Sequence, residues 1–353
     1  MMWSPVIETI TPYTPGEQPK EGERYIKLNT NENPYPPSPK VLEAIQATAN
    51  AQLRLYPDPD AYKLKQAIAE KHGVFPKNIF VGNGSDEVLA LSFMAFFQKK
   101  KPLLFPDVSY SFYKVYAELF GIQVKTIPLK EDYTIDFTEY NNGEKAGIIF
   151  PNPNAPTGLA VSNKQIARLA ASNSDVPIVV DEAYADFADE SAVELINEYS
   201  NLLSVFTLSK SRALAGLRVG YAVGSENLIE GLERTKHSFN SYTLDRLAIE
   251  GATAAIKDEA YFKSITKRII ETREEVIERL KDLGFHVLPS KSNFIFTEHS
   301  DIPAERIFTL LKEKGILVRY FNKPRIDNFL RITIGKPEEM YVLLDALEEI
   351  IGQ

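Results

Sequence analysis

Between residues 79 and 223 the chain repeats one grammar: a short apolar run, then an amphipathic or polar stretch, then another apolar run. The runs lie at 79–81, 103–105, 124–127, 147–150, 178–180, 202–208 and 219–223, and helical patterns fill several gaps, at 88–97, 113–120 and 166–171. Runs of this length are strands, and strands that alternate with helices pair in parallel with helices on both faces. The expected fold class is therefore α/β: a large domain with a mostly parallel sheet flanked by helices. The runs themselves are core. In such a sheet, ligand chemistry gathers at the carboxyl ends of the strands.

The flanks read differently. Residues 1–39 hold Pro34, Pro36, Pro37 and Pro39 among other prolines and show no helical period, so they are expected to form an extended N-terminal arm. Ser38 caps a helix through Val41, Ile45 and Ala49; a second helix follows Asp60 and stops at Gly73. The large domain is expected over 40–245 and a connecting helical segment, with a long helix at 258–283, over 246–284. Strands at 293–297, 316–320 and 329–334, with helices at 304–314 and 337–351, suggest a smaller α+β domain over 285–353.

Composition narrows the function. A chain of 353 residues, 44% hydrophobic, has enough apolar material for a large core and a second unit. Its net charge of −8, with Lys and Arg dispersed, argues against nucleic acid. No apolar run approaches membrane-spanning length, so no membrane partner is expected. The start, Met1-Met2-Trp3-Ser4-Pro5, lacks the basic and apolar regions of a signal peptide. With no cysteine there are no disulfides, thiolate metal sites or Cys nucleophile, and a reducing cytoplasm is the expected location. The four histidines make no metal-ligand spacing, so no metal is expected.

Three strand ends carry polar residues that a core does not require. Asp181 follows the run at 178–180; alone, such an acid is more often a helix cap or a Mg²⁺ ligand, but no GxxxxGK[ST] loop accompanies it. Lys210 follows the run at 202–208, with Thr207 and Ser209 beside it and Arg218 soon after. Desolvation there would free its amine as a nucleophile toward an aldehyde, although a lone lysine is usually a solvated loop residue. Gly82, Gly84 and Ser85 open a helix whose first N–H groups suit a phosphate, a pattern shared with ordinary caps. Together they describe an aldehyde cofactor on Lys210, its phosphate at Gly84–Ser85 with Thr207, Ser209 and Arg218, and a pyridine nitrogen facing Asp181. Tyr184 can reach the ring's phenolic oxygen.

In this order, and over nearly the whole chain, these residues resemble the fold-type-I aminotransferases, within them the histidinol-phosphate aminotransferase family. The matching strings are Thr11-Pro12-Tyr13-Thr14-Pro15-Gly16, Leu28-Asn29-Thr30-Asn31-Glu32-Asn33-Pro34, Tyr56-Pro57-Asp58, Asn83-Gly84-Ser85-Asp86-Glu87, Pro156-Thr157-Gly158, Asp181-Glu182-Ala183-Tyr184, Ser209-Lys210, Leu214-Ala215-Gly216-Leu217-Arg218 and Leu330-Arg331-Ile332-Thr333-Ile334-Gly335. The resemblance implies pyridoxal 5'-phosphate as cofactor, with Lys210, Asp181 and Tyr184 catalytic and Asp86 and a ring-stacking Tyr110 among its contacts. It implies a homodimer in which Tyr56 reaches the other subunit's cofactor phosphate. It further implies reversible amino transfer between histidinol phosphate and 2-oxoglutarate, giving glutamate, with Arg319 and Arg331 as anion clamps and Tyr13 and Asn33 closing over the substrate. The family places Asn directly before Pro-Thr-Gly, to contact the phenolic oxygen. Here Ala155 stands there, and Asn154 is expected to take over. The rival readings are an aromatic aminotransferase, a phospho-amino-acid decarboxylase, and a cofactor-binding regulatory domain without turnover.

Overall fold

In the computed structural model, which describes residues 2–20, 22 and 25–352, the apolar runs assemble into one seven-stranded sheet. Its order is Ile79–Asn83, Val219–Gly224, Leu202–Thr207, Ile178–Asp181, Gly147–Pro151, Leu103–Pro106, Val124–Ile127. Val219–Gly224 is antiparallel to both its neighbours; the other adjacent pairs are parallel. The three strands from 178, 202 and 219 are buried along their whole length because helices cover both faces. On one face Leu64, Ile68, Ile249 and Ile256 pack with Val81, Tyr221 and Val223. On the other, Val88, Tyr113 and Leu232 pack with Phe80, Val179 and Ala222. The alternation of 79/81 against 80, and of 221/223 against 222, is the period-two pleat of a strand with two buried faces.

A four-stranded antiparallel sheet, ordered Arg319–Tyr320, Leu330–Thr333, Phe294–His299, Phe285–Val287, forms the second unit. Ile265, Ile269 and Val276 of the long helix Glu259–Asp282 share a core with Phe294, Ile332, Leu343 and Leu347. That helix ends before Gly284, whose φ of +83° suits only a residue without Cβ. The mostly parallel sheet with a smaller α+β unit agrees with the fold class read from sequence.

Three local expectations change. The run at 316–320 is not one strand: Ile316–Leu317 pairs in parallel with Ile26–Lys27 of the arm, and Arg319–Tyr320 pairs with Leu330–Thr333. The arm therefore borrows an edge of the small unit. It also contains a short helix, Pro5–Thr9, which Pro5 starts with its fixed φ. Helix Arg246–Lys257, assigned from sequence to the connecting segment, packs on the large sheet instead.

Candidate active site

The carboxyl ends of Ile178–Asp181 and Leu202–Thr207, the first turn of helix Gly84–Ser92 and the arm at 29–32 enclose a cavity of about 290 Å³. Its walls include Ser85, Asp86, Tyr110, Asp181, Tyr184, Thr207, Ser209, Lys210 and Arg218, with Tyr13, Arg319 and Arg331 on the side of the arm and small unit. Segments as far apart in sequence as Tyr13 and Arg331 thus converge on one space.

Lys210 stands where the chain leaves the Leu202–Thr207 strand, and its Nζ donates to the Thr30 carbonyl at 2.9 Å. Burial, then the charge of Arg331, lowers its pKa from the ordinary lysine value to about 8. A large fraction of the amine is therefore uncharged near pH 8, the form that attacks a carbonyl carbon. Asp181 is buried at the end of the neighbouring strand. Tyr113 Oη donates to its Oδ2 at 2.8 Å and the Ala183 N–H to its Oδ1 at 3.3 Å. Burial raises its pKa to about 6, with Asp86 adding to the shift and the Tyr113 hydroxyl and Ala183 N–H opposing it. A buried carboxylate in this state favours a cationic partner.

The remaining wall is an anion cradle. Gly84 has a φ of +78°, and a Cβ there would lie 2.5 Å from Arg218 Nη2; one on Gly220 would lie 2.3 Å from the Ser85 backbone nitrogen. Two glycines thus let the guanidinium and the helix start close against the sheet. Arg218 itself adopts the left-handed region at φ 54° and donates to Asp86 Oδ2 at 3.1 Å. Asp86 Oδ1 accepts from Tyr110 Oη at 2.9 Å, and Thr207 Oγ1 donates to Ser209 Oγ at 3.0 Å. The free N–H groups of a helix start, two hydroxyls and a guanidinium suit a phosphate.

Arg319 and Arg331 are directly opposite each other on neighbouring strands. Like charges so placed repel. Among the described residues, neither finds the carboxylate that a structural role would supply: Arg331 Nη2 donates to the Asn29 carbonyl at 3.0 Å, its Nε has no partner, and Arg319 Nη2 donates to the Thr14 carbonyl at 3.4 Å. Burial, with Arg319 adding to it, lowers the Arg331 pKa. Two guanidiniums on one cavity, neither paired with a carboxylate among the described residues, suit an anion.

The family profile described as aminotransferase class I and II matches residues 23–347. The chain belongs to the class I and II aminotransferases. Aminotransferases of this family use pyridoxal phosphate, and the protein is a pyridoxal-phosphate-dependent aminotransferase. It is 55% identical over 352 residues, 99% of both chains, to a histidinol-phosphate aminotransferase of Clostridium acetobutylicum. It is 56% identical over 349 residues to histidinol-phosphate aminotransferase 1 of Hydrogenovibrio crunogenus, covering 99% of this chain and 98% of that one. The histidinol-phosphate aminotransferase of Sinorhizobium meliloti, solved in complex with pyridoxal-5'-phosphate, superposes with a TM-score of 0.89 at 25% identity, over 99% of this chain and 98% of that one.

The aminotransferase cofactor fits these residues. Lys210 offers an amine to its aldehyde, the cradle from Gly84 to Arg218 suits its phosphate, and Asp181 is a buried acid without a cation, as a pyridinium requires. Four anticipated residues stand outside the cavity wall. Asn154 Nδ2 donates to the Val108 carbonyl at 3.1 Å and to Thr157 Oγ1 at 3.0 Å, closing its own loop, and Ala155 lines the cavity. Asn33 Nδ2 donates to the Lys210 carbonyl at 2.9 Å and the Ser211 carbonyl at 3.3 Å, anchoring the backbone that carries the lysine. Gly84 lies behind Arg218. Tyr56 is 78% exposed and stacks on Tyr242 at 4.6 Å.

Sequence reasoning overlooked Tyr113, which anchors Asp181, and Asn31, which donates to Tyr184 Oη at 2.8 Å. Tyr113 lies three residues after Tyr110, and that spacing, one helical turn, was the available signal. Asn31 stands in the arm motif from Leu28 to Pro34 with nothing local to mark it.

Proposed function

We propose that the enzyme transfers the amino group reversibly between L-histidinol phosphate and 2-oxoglutarate, within histidine biosynthesis. The observation that carries the substrate is the Arg319–Arg331 pair, unmatched by any carboxylate among the described residues, beside the amine of Lys210. A guanidinium fork suits a phosphate monoester and a carboxylate alike. One clamp can therefore serve the phosphorylated donor in one half-reaction and the dicarboxylic acceptor in the other. The names of the relatives at 55% and 56% identity point the same way.

Bound pyridoxal phosphate supplies an aldehyde that takes up the donor's amino group and a ring that receives electrons as Cα loses its proton. The chain supplies the rest. With the cofactor bound, Lys210 Nζ would take the donor's Cα proton as base and give it back as acid. Its lowered pKa suits both tasks near neutrality. Asp181 keeps the ring nitrogen protonated, and Tyr113 keeps Asp181 in place. Tyr184 holds the phenolic oxygen, and Tyr13, stacked on Phe112 at 4.5 Å, closes the arm side against water.

We place the enzyme in the cytoplasm, which its lack of cysteine suits, as a homodimer in which Tyr56 serves the partner's cofactor phosphate. The exposed apolar surface at Leu53, Leu55 and Tyr56 supports the pairing. No helix among the described residues is long and apolar enough to cross a membrane. Assay of histidinol phosphate, histidine and phenylalanine as donors to 2-oxoglutarate tests the substrate. Arg319→Ala is expected to cost histidinol phosphate ~2–3 kcal/mol of transition-state binding and phenylalanine much less. Equal losses, or a wild-type preference for phenylalanine, would instead establish an aromatic aminotransferase.

A further inference from the structure

Asn31 is the hub of a buried hydrogen-bond chain that no catalytic role explains. It belongs to the arm, is 1% exposed and has a φ of +56°, a left-handed conformation that asparagine tolerates better than most residues. Its backbone N–H donates to Thr333 Oγ1 at 3.0 Å. The Thr333 hydroxyl, having accepted that bond, donates its own proton to Asn31 Oδ1 at 3.1 Å. Asn293 Nδ2 donates to the Asn31 carbonyl at 3.0 Å, and Asn31 Nδ2 donates to Tyr184 Oη at 2.8 Å.

The order of donors leaves little choice. A threonine hydroxyl has one proton, and Thr333 gives it to Asn31 Oδ1, the amide oxygen. The other end of the amide is then NH2, a donor only. Tyr184 Oη must accept from it, so the single phenolic proton has to be offered elsewhere. Tyr184 lines the cavity, makes no other hydrogen bond among the described residues, and is held by the ring of Phe294 at 5.0 Å, edge to face. Among the described residues, the cavity is the direction left for it.

We infer that Thr333 and Asn31 form a polarity relay that sets the Tyr184 hydroxyl as a hydrogen-bond donor to the cofactor, on the side where Ala155 has no amide to offer. The inference rests on the proposed placement of the phenolic oxygen against Tyr184. Asn31 and Thr333 are positioning residues: Asn31 reaches the cavity wall, but its side-chain amide is engaged by Thr333 and Tyr184, and the pair acts by removing the alternative in which Tyr184 donates to them. Because Thr333 and Phe294 belong to the small sheet, Asn31 to the arm and Tyr184 to the turn after strand Ile178–Asp181 of the large one, the donor is set only when all three are docked.

A donor to the phenolic oxygen favours its unprotonated form, so losing it raises the pH at which the lysine-bound cofactor changes its visible absorption. The test is a pH titration of that band in purified holoenzymes, with melting temperature and cofactor content as checks on folding. Tyr184→Phe and Asn31→Asp, whose carboxylate accepts from Tyr184, are expected to raise the midpoint by about one pH unit. Thr333→Val, which frees the Asn31 amide to turn over, should raise it by less, and Thr333→Ser should restore it. Arg331, Asp181 and Tyr13, the other titratable groups acting on Tyr184, are unchanged throughout. In Asn31→Asp and Thr333→Val, kcat should fall with donor KM little altered. A shift in Tyr184→Phe with wild-type midpoints in both relay variants would overturn the relay alone. No shift in Tyr184→Phe would overturn it together with the cofactor placement on which it rests.

Discussion

At the scale of single residues the site is a set of groups whose pKa values burial displaces. Lys210 is the clearest. With its pKa lowered to about 8, the folded apoenzyme binds fewer protons than the unfolded chain between about pH 8 and the ordinary lysine value, so stability rises with pH through that window. Below it the folded state holds a buried ammonium at a cost. Lys210→Met should therefore melt higher than wild type at pH 7 as apoenzyme, with the gap closing as pH rises through that window; a gap independent of pH would dissociate it from the lysine's charge. The same pKa predicts that cofactor capture by apoenzyme rises with a midpoint near pH 8, followed by stopped-flow absorbance. Borohydride reduction of the holoenzyme should fix the label on Lys210 and on no other lysine, read by peptide mapping. Asp181→Ala should still capture cofactor but lose most turnover, because the ring nitrogen is left without its acid; near-normal turnover would reduce Asp181 to a cap.

At the scale of elements, the cradle depends on how closely helix Gly84–Ser92 approaches strand Val219–Gly224. Gly220 has no φ that demands glycine; it is required because any Cβ would sit 2.3 Å from the Ser85 nitrogen. Gly220→Ala must push the helix start away from the sheet. Overpacking of this kind costs about 1–3 kcal/mol, and here it also displaces Ser85 and Arg218 from one anion. Weaker cofactor retention on dialysis, beyond what the loss in Tm explains, is the expected outcome. The Arg319–Arg331 pair makes the complementary point in the small sheet: register alone sets the two charges opposite each other. Phosphate ions should raise the melting temperature of wild type more than that of Arg319→Ala.

At the scale of the whole molecule, Tyr56 lies outside its own cavity, on an exposed apolar edge. If it serves the partner's site, mixing inactive Lys210→Ala and Tyr56→Ala chains gives hybrid dimers in which both defects fall in one site. The other site is then whole, and activity should return toward half of wild type per hybrid dimer. Hybrids confirmed by mass spectrometry but without activity would return Tyr56 to its own chain.

The division between sequence and tertiary structure follows the range over which each signal acts. The apolar runs from 79 to 223 determined the large sheet, because strand pleat and helix period are properties of neighbouring residues. Lys210, Asp181 and the Gly84–Ser85 turn stood out in the sequence for a local reason: each closely follows an apolar run, at the carboxyl end of a strand. Partners distant in sequence were not legible. The splitting of 316–320 was decided by the arm, whose Ile26 and Leu28 N–H groups donate to the carbonyls of Gly315 and Leu317. The amides of Asn33, Asn154 and Asn31 look alike as letters, yet one anchors the lysine backbone, one closes a loop, and one reaches Tyr184. A side-chain amide can donate in many directions at similar cost, so only the docked fold selects among them, here by bringing Thr333 to Asn31 across 302 residues.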